Sequence, residues 1–289
     1  MSRDSGDSNR SGRGGNDGRS HRENGRRPSG SSRDRRGSQG SRGSKGGRDG
    51  DRRDGDRRGG RSSDRGDRAD RRKPLNLQPG APLPRWVREE ITRSTPKDRR
   101  DAALSELVSG LEAFADERYR QAATSLRKAK SLSPRAATVR EILGLSAYNI
   151  EAWEEALREL RTFRRITGET MHMAVELDCL RALGRDGDIG KTFELFLELG
   201  GDRDAEDEAR VVYASHLLDQ GRIADAWRVI KPGRLVNRAP AAALRRWAVA
   251  ARVAAASGDA EAAGKILSAI RREDSDLEWL PELERELGL

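Results

Sequence analysis

Trp153-Glu154-Glu155-Ala156-Leu157-Arg158-Glu159-Leu160-Arg161-Thr162-Phe163-Arg164-Arg165-Ile166 is the stretch on which the fold turns. Trp153, Ala156, Leu157, Leu160, Phe163 and Ile166 recur at the spacing of one helix face, and Glu154, Glu155, Arg158, Glu159, Arg161 and Arg165 take the other. Glu154 precedes Arg158 by one turn, the favourable order for an ion pair. Outward from this segment the signals stay helical from Arg85 on. Thr95-Pro96 supplies an N-cap and a first-turn proline, followed by Asp98 near the positive helix end, and Ser133-Pro134 repeats the arrangement. No alternating stretch of strand length occurs, Val and Ile are sparse, and Ala, Leu, Arg and Glu dominate. The pattern predicts an all-α fold.

Overlaying the chain on itself at 34 residues sets Gly110 on Gly144, Tyr119 on Trp153, Ala122 on Ala156 and Leu126 on Leu160. Each copy has a helix carrying a small glycine, a turn, an aromatic, then Ala three residues further on and Leu four residues after the Ala. This spacing resembles the tetratricopeptide repeat. Roughly 103–136 carries Gly110, Tyr119, Ala122, Ala129, Leu132 and Pro134 at family positions. The next unit, 137–170, carries Leu143, Gly144, Tyr148, Trp153, Ala156, Leu160 and Phe163, with Gly168 where the family usually has proline. A degenerate unit over 171–206 holds Leu177, Leu180, Gly184, Ile189, Thr192 and Phe196, and its turn Gly184–Asp188 is expected to absorb two extra residues. Units over 207–240 and 241–276 carry Tyr213, Leu217, Gly221, Ile223, Ala226 and Ile230, then Trp247, Ala251, Ala254, Gly258, Ala263 and Leu267. Lys231-Pro232-Gly233 ends the helix before the last unit. The resemblance implies a superhelical solenoid of helical hairpins over 85–289. Its open ends need caps, for which Trp86, Val87 and Ile91 at the start and Leu277, Trp279, Leu280 and Leu283 at the end are suited. The five tryptophans read as core or cap residues.

Charge separates a different segment. The chain is +9 overall, with 57 Lys and Arg against 48 Asp and Glu, yet residues 1–73 alone carry 23 basic and 12 acidic residues, so the excess sits there. That segment holds 17 of the 31 glycines, and Met1 and Ala69 are its only members of the hydrophobic set. Such a composition cannot offset its ordering entropy and predicts a disordered tail. Residues 74–84, with four prolines in eleven residues, read as a linker whose Leu75, Leu77 and Leu83 lie against the folded part. No apolar leader follows Met1, and no run is long enough to span a bilayer, so the expected location is cytoplasmic. The preponderance of Arg over Lys, with much Ala, Gly and Asp, suggests a GC-rich bacterial genome.

No catalytic constellation stands out. His172 and His216 have no His or Cys at ligand spacing, the single cysteine, Cys179, reads as a buried thiol, and the carboxylates read as solvated outer faces. The expectation is a non-enzyme without metal, cofactor, small-molecule substrate or membrane span. The resemblance implies a peptide or partner helix held in a groove lined by the first helix of each unit. Carried onto this chain, the groove residues are Glu141, Leu145, Tyr148 and Asn149 in the second unit, Glu208, Val211, Ser215 and Asp219 in the fourth, and Arg245 and Arg252 in the fifth. The Lys and Asn clamp with which one subclass grips chaperone C-termini is absent: Glu141 and Leu145 stand at its positions in the second unit, and Leu107 and Leu111 in the first.

Two readings of the tail stand side by side. Arg13, Arg52, Arg53, Arg57, Arg58 and Arg61 suit weak, non-specific contact with RNA phosphates, and Arg13-Gly14-Gly15 and Arg58-Gly59-Gly60 are isolated RGG elements. Interspersed acids and the lack of any aromatic argue instead for a solubilising arm. The expected function is therefore a protein–protein interaction scaffold with an electrostatic tail. The alternative is an RNA or ribonucleoprotein binder in which the tail is the main element.

Overall fold

The computed structural model describes residues 82–288. The tail arginines and Leu75 and Leu77 of the linker lie outside them. Among the described residues the chain forms twelve α-helices and no strand: α1 Arg85–Ser94, α2 Arg100–Ala115, α3 Tyr119–Leu132, α4 Ala137–Asn149, α5 Trp153–Thr167, α6 Met173–Ala182, α7 Asp186–Leu199, α8 Arg203–Asp219, α9 Ile223–Ile230, α10 Ala241–Ala256, α11 Ala260–Glu273 and α12 Leu280–Leu287.

Five helical pairs, from α2–α3 to α10–α11, are joined by one turn used five times. Each places a residue in the left-handed region, at Glu117, Glu151, Gly184, Gly221 and Gly258. In each, the next residue's amide reaches back to a carbonyl five residues earlier: Arg118 to Ala113, Ala152 to Ala147, Arg185 to Leu180, Arg222 to Leu217 and Asp259 to Ala254, at 2.8–3.0 Å. This bond closes the C-terminal end of the first helix and launches the second. Glycine takes the left-handed position without penalty, whereas Glu117 and Glu151 hold it at a cost in backbone energy.

The turn also corrects the register of the degenerate unit. Gly184-Arg185 is no longer than the other four turns, so it does not absorb the extra residues. They fall after it, at Gly200-Gly201-Asp202 and in the 17-residue α8. Aligned on the turn, Ala122, Ala156, Ile189, Ala226 and Ala263 occupy one position and Leu126, Leu160, Phe193, Ile230 and Leu267 another; all ten are buried. Gly110 and Gly144 show why the small residue is required. A Cβ on Gly110 would lie 2.6 Å from Leu126 Cγ, and one on Gly144 2.7 Å from Leu160 Cγ and Cδ2.

Neighbouring helices pack in chain order, and α2 also touches α4, α6 touches α8 and α8 touches α10. Three apolar clusters result, over α1–α4, α4–α8 and α8–α12, the last two sharing Tyr213 and Val229 at their rims. At the ends, Val87 and Ile91 of α1 bury completely against α2–α4, with Leu83 and Trp86 beside them. Leu280 and Leu283 of α12 bury against α10 and α11 with Leu277 and Trp279. Trp247 is buried; Trp153 and Trp227 are half-buried at cluster rims, and Lys231 Nζ sits 5.9 Å from the Trp227 ring centroid.

The helix starts at Thr95 and Ser133 differ from the capping expectation. Lys97–Arg99 forms a short 3-10 turn before α2, and α4 begins at Ala137, three residues beyond Pro134. Neither hydroxyl caps a helix: Thr95 Oγ1 donates to Ser133 Oγ at 2.6 Å, and Ser94 Oγ lies 3.0 Å from the same oxygen. The cap of α4 comes from a distance. The Glu90 carboxylate on α1 accepts from Ala137 N, from Thr138 N at 3.2 Å and from Thr138 Oγ1 at 2.5 Å, so a helix expected only to cover an apolar end also supplies charge to a positive helix terminus.

The polar face of Trp153–Ile166 is corrected too. Glu159 is fully buried, joined to Lys130 at 3.0 Å and to Arg140 at 2.5 Å, while Ile166, assigned to the apolar face, is exposed at the helix end. Arg158 pairs with Glu159 at 3.0 Å and lies 3.7 Å from Glu155, not with Glu154. Glu176 is likewise buried beneath Arg164, which grips both its oxygens, and Asp207 beneath Arg246. Solvation of the carboxylates thus fails at three positions where a neighbouring unit covers them. Burial pushes the Glu159 carboxyl up, but the Lys130 and Arg140 hydrogen bonds outweigh it and hold it below the usual 4.5. Arg127 acts the same way on Glu155. A carboxyl depressed in the folded state stabilises the fold above its unfolded value and loses that contribution as pH falls through the folded value. Thermal unfolding is therefore expected to be nearly constant from neutral pH to about pH 5 and to drop steeply below about pH 4. A melting temperature unchanged at about pH 3 contradicts this.

Candidate partner-binding face

The residues expected to line a groove lie on the first helices of their pairs, α4, α8 and α10, and the structure engages most of them with neighbouring helices. Glu141 Oε1 shares a hydrogen bond with His172 Nε2 at 2.9 Å, ahead of α6. Tyr148 donates its hydroxyl to Asp178 Oδ2 of α6 at 2.6 Å and meets the Trp153 ring edge-on. Burial and the Asp178 carboxylate raise the Tyr148 hydroxyl well above its ordinary value, so it remains a donor. Asn149 returns its amide to Leu145 O at 2.8 Å, and Leu145 is half-buried. Asp219 accepts from Arg181 Nη1 at 3.1 Å, and Arg181 Nε binds Asp178 at the same distance. Glu208 of α8 pairs with Arg245 of α10, and Arg252 with Glu286 of α12 at 2.8 Å. Val211 packs on the C-terminal core, and Ser215 is half-buried.

Of the ten residues, only Glu208 and Arg245 pair directly across two helices, and Asn149 binds the Leu145 carbonyl within α4. Tyr148 and Asp219 are linked through Asp178 and Arg181, which the groove expectation did not include. A signal for these existed. Aligned on the Gly184 turn, Asp178 takes the place of Leu145 and Arg181 that of Tyr148, but without the register of the third unit the correspondence was hidden. The result is a line of polar links, Tyr148–Asp178–Arg181–Asp219, then Glu208–Arg245 and Arg252–Glu286, that ties successive first helices together.

Beside the Glu208–Arg245 pair opens a cleft of about 320 Å³ lined by Met171, Asp202, Asp204, Glu208, Ala242 and Arg245. Asp202 also caps α8, accepting from Ala205 N at 2.8 Å. Met171 belongs to a wider apolar group. Thr170 Oγ1 donates to Gly200 O at 2.7 Å and joins two loops, and the exposed large apolar side chains among the described residues, Ile166, Met171, Leu197 and Leu199, flank that junction. This edge combines apolar surface with carboxylates.

The nucleophile-type residue sits elsewhere. Cys179 is fully buried, and burial pushes its thiol up to about 12, which leaves it protonated. His216 is buried with Nδ1 at 4.0 Å from Asp186. Among the described residues no group of three or more His, Cys, Asp or Glu is placed to hold a metal, and no helix is long and apolar enough to cross a membrane. No protein-family model matches the sequence, and no curated protein matches it.

Proposed function

We propose that this chain is a non-catalytic interaction scaffold: a tetratricopeptide-like array of helical hairpins that holds a peptide or helix of a protein partner, with the basic tail adding weak electrostatic contact. The observation that carries the reading is the fivefold use of one interhelical turn with the same small and large buried positions after it. Repeating hairpins set their first helices side by side, and a row of such helices is a surface suited to an extended partner segment. The cleft at Met171, Asp202, Asp204, Glu208 and Arg245 is its most recognisable anchor point, and its carboxylates favour a partner segment bearing Lys or Arg beside an apolar residue. Much of the rest of the face is already hydrogen-bonded to itself, which suits a partner that reads shape and apolar side chains more than isolated charges.

The test is affinity capture from native lysate with the full chain and with residues 74–289. Each is compared with the double variant Asp204→Lys, Met171→Glu, whose changes lie on exposed positions. A specific protein retained by both wild-type forms and lost with the double variant is expected. Equal retention by the variant removes the proposed face, and no specific protein retained by either form removes the scaffold reading. The charge of residues 1–73 supports the alternative, in which RNA is the main ligand. RNA binding that weakens steeply with salt and vanishes without the tail would assign that binding to the tail.

A further inference from the structure

A second cleft, of about 410 Å³, opens between α5 and α7 and shares no residue with the face above. Its lining includes Arg161, Arg164, Arg185, Asp188, Lys191 and Thr192. The charges do not balance. Arg164 is bound to Glu176, with Arg161 at 3.7 Å from the same carboxylate, and Arg185 holds Asp188 at 2.5 Å. Two carboxylates thus serve four cations, and Lys191 makes no ion pair with any described residue. A second observation is independent of charge. Thr192 is only 7% exposed, yet its hydroxyl makes no hydrogen bond within the described residues, not even to the carbonyl one turn back. A buried hydroxyl without a partner is uncommon and costs free energy unless a ligand or water completes it. Thr192 lines the same cleft as the uncompensated cations.

We propose that this cleft binds a phosphate monoester presented by a protein segment. Thr192 Oγ1 and the Lys191 ammonium would donate to the phosphate oxygens, and Arg161 and Arg185 would supply long-range attraction. A dianion matches the two uncompensated positive charges. Leu195 and the aliphatic stems of the arginines form a wall for the residue next to the phosphate. No aromatic lines the cleft, so nucleobases would find no stacking surface, which favours a phosphorylated peptide over a nucleic acid. Asp188 is the internal competitor, since it occupies Arg185 in the unliganded state. The inference goes beyond the scaffold reading and does not depend on it.

The full chain is titrated with inorganic phosphate at constant ionic strength, following the backbone amide resonances of Asp188 to Leu195. Saturable shifts confined to these residues are expected. Lys191→Gln and Thr192→Val should each weaken the apparent affinity by about five-fold, and Asp188→Asn should tighten it by a similar factor. The tail is identical in all four proteins, so a difference among them reports on the cleft. In a second arm, a phosphoserine peptide should compete for the same resonances, whereas its unphosphorylated form and a short single-stranded RNA should not. Shifts that fail to saturate, or that are equal in wild type and Lys191→Gln, overturn the proposal, as does RNA competing as well as the phosphopeptide.

Discussion

Replacing Arg246 by alanine is expected to destabilise the C-terminal part of the helical domain by about 3–5 kcal/mol, the usual cost of stranding a buried charge. Arg246 on α10 makes three contacts at once: Nη1 donates to Asp207 Oδ1 at 2.8 Å, Nε to Ile230 O at 3.2 Å and Nη2 to Lys231 O at 2.9 Å. It therefore neutralises an acid on α8 that is buried and satisfies carbonyls where Pro232 stops α9. Alanine removes all three contacts and leaves Asp207 without its counter-ion. For a domain of this size the loss corresponds to a fall in melting temperature of roughly 6–20 °C. Because helices packed mainly on their chain neighbours can unfold in parts, the amides of α9–α12 should exchange fastest in the variant. Arg246→Lys should recover only a fraction, since an ammonium cannot reach three acceptors in a fork. Adding Asp207→Asn to the alanine variant should recover part of the loss by removing the stranded charge. A variant within about 1 kcal/mol of wild type by thermal and urea denaturation would show that solvent already satisfies Asp207.

The second large effect is at Gly144. Its absent side chain is the space in which Leu160 sits, and a Cβ there would also lie 3.3 Å from the Leu160 amide nitrogen, part of the backbone of α5. Relief cannot come from a rotamer change alone; α4 and α5 must separate. Gly144→Ala is expected to cost about 1–3 kcal/mol and Gly144→Val more, despite the better helix propensity of alanine. Gly264, in the interior of α11, is the matched control, because a Cβ there meets nothing within 4 Å. Gly264→Ala should stabilise by roughly 0.5–1 kcal/mol. Denaturant midpoints of the three variants measured side by side decide the matter, and the same sign at both glycines would mean that propensity, not close approach, governs Gly144. Shortening Leu160 to alanine in the Gly144→Val background should restore part of the loss if the two side chains compete for one space.

Periodicity reports on which side of its own helix a residue lies, and hairpins close locally. The helices, the Gly110–Leu126 and Gly144–Leu160 pairings, the end at Ile230 before Pro232 and the apolar residues of both terminal helices were therefore legible. Each depends on contacts within one hairpin or between one hairpin and the next segment of chain. Glu159, Glu176 and Asp207 were not legible, because their helical faces are polar by pattern and become interior only when a neighbouring helix, earlier or later in the chain, packs an arginine or lysine against them. The same holds for Thr95 and Ser133, whose local sequence is that of a cap but whose hydroxyls meet across nearly forty residues of chain. The residues expected in a groove lie on α4, α8 and α10, yet most of their polar ends are committed to neighbours, which no single-helix pattern reveals. The left-handed turn of the third unit was also hidden: a glycine among Gly184, Gly187 and Gly190 marks a turn without saying which one takes positive φ.

Short-range order was thus written in the residues: an all-helical chain, its hairpins and their small-to-large pairing, because those depend on spacing along the backbone. Which charges are buried, which are left uncompensated between α5 and α7, and which surfaces remain open depended on how the helices came together, because burial and electrostatic balance are properties of the space between elements.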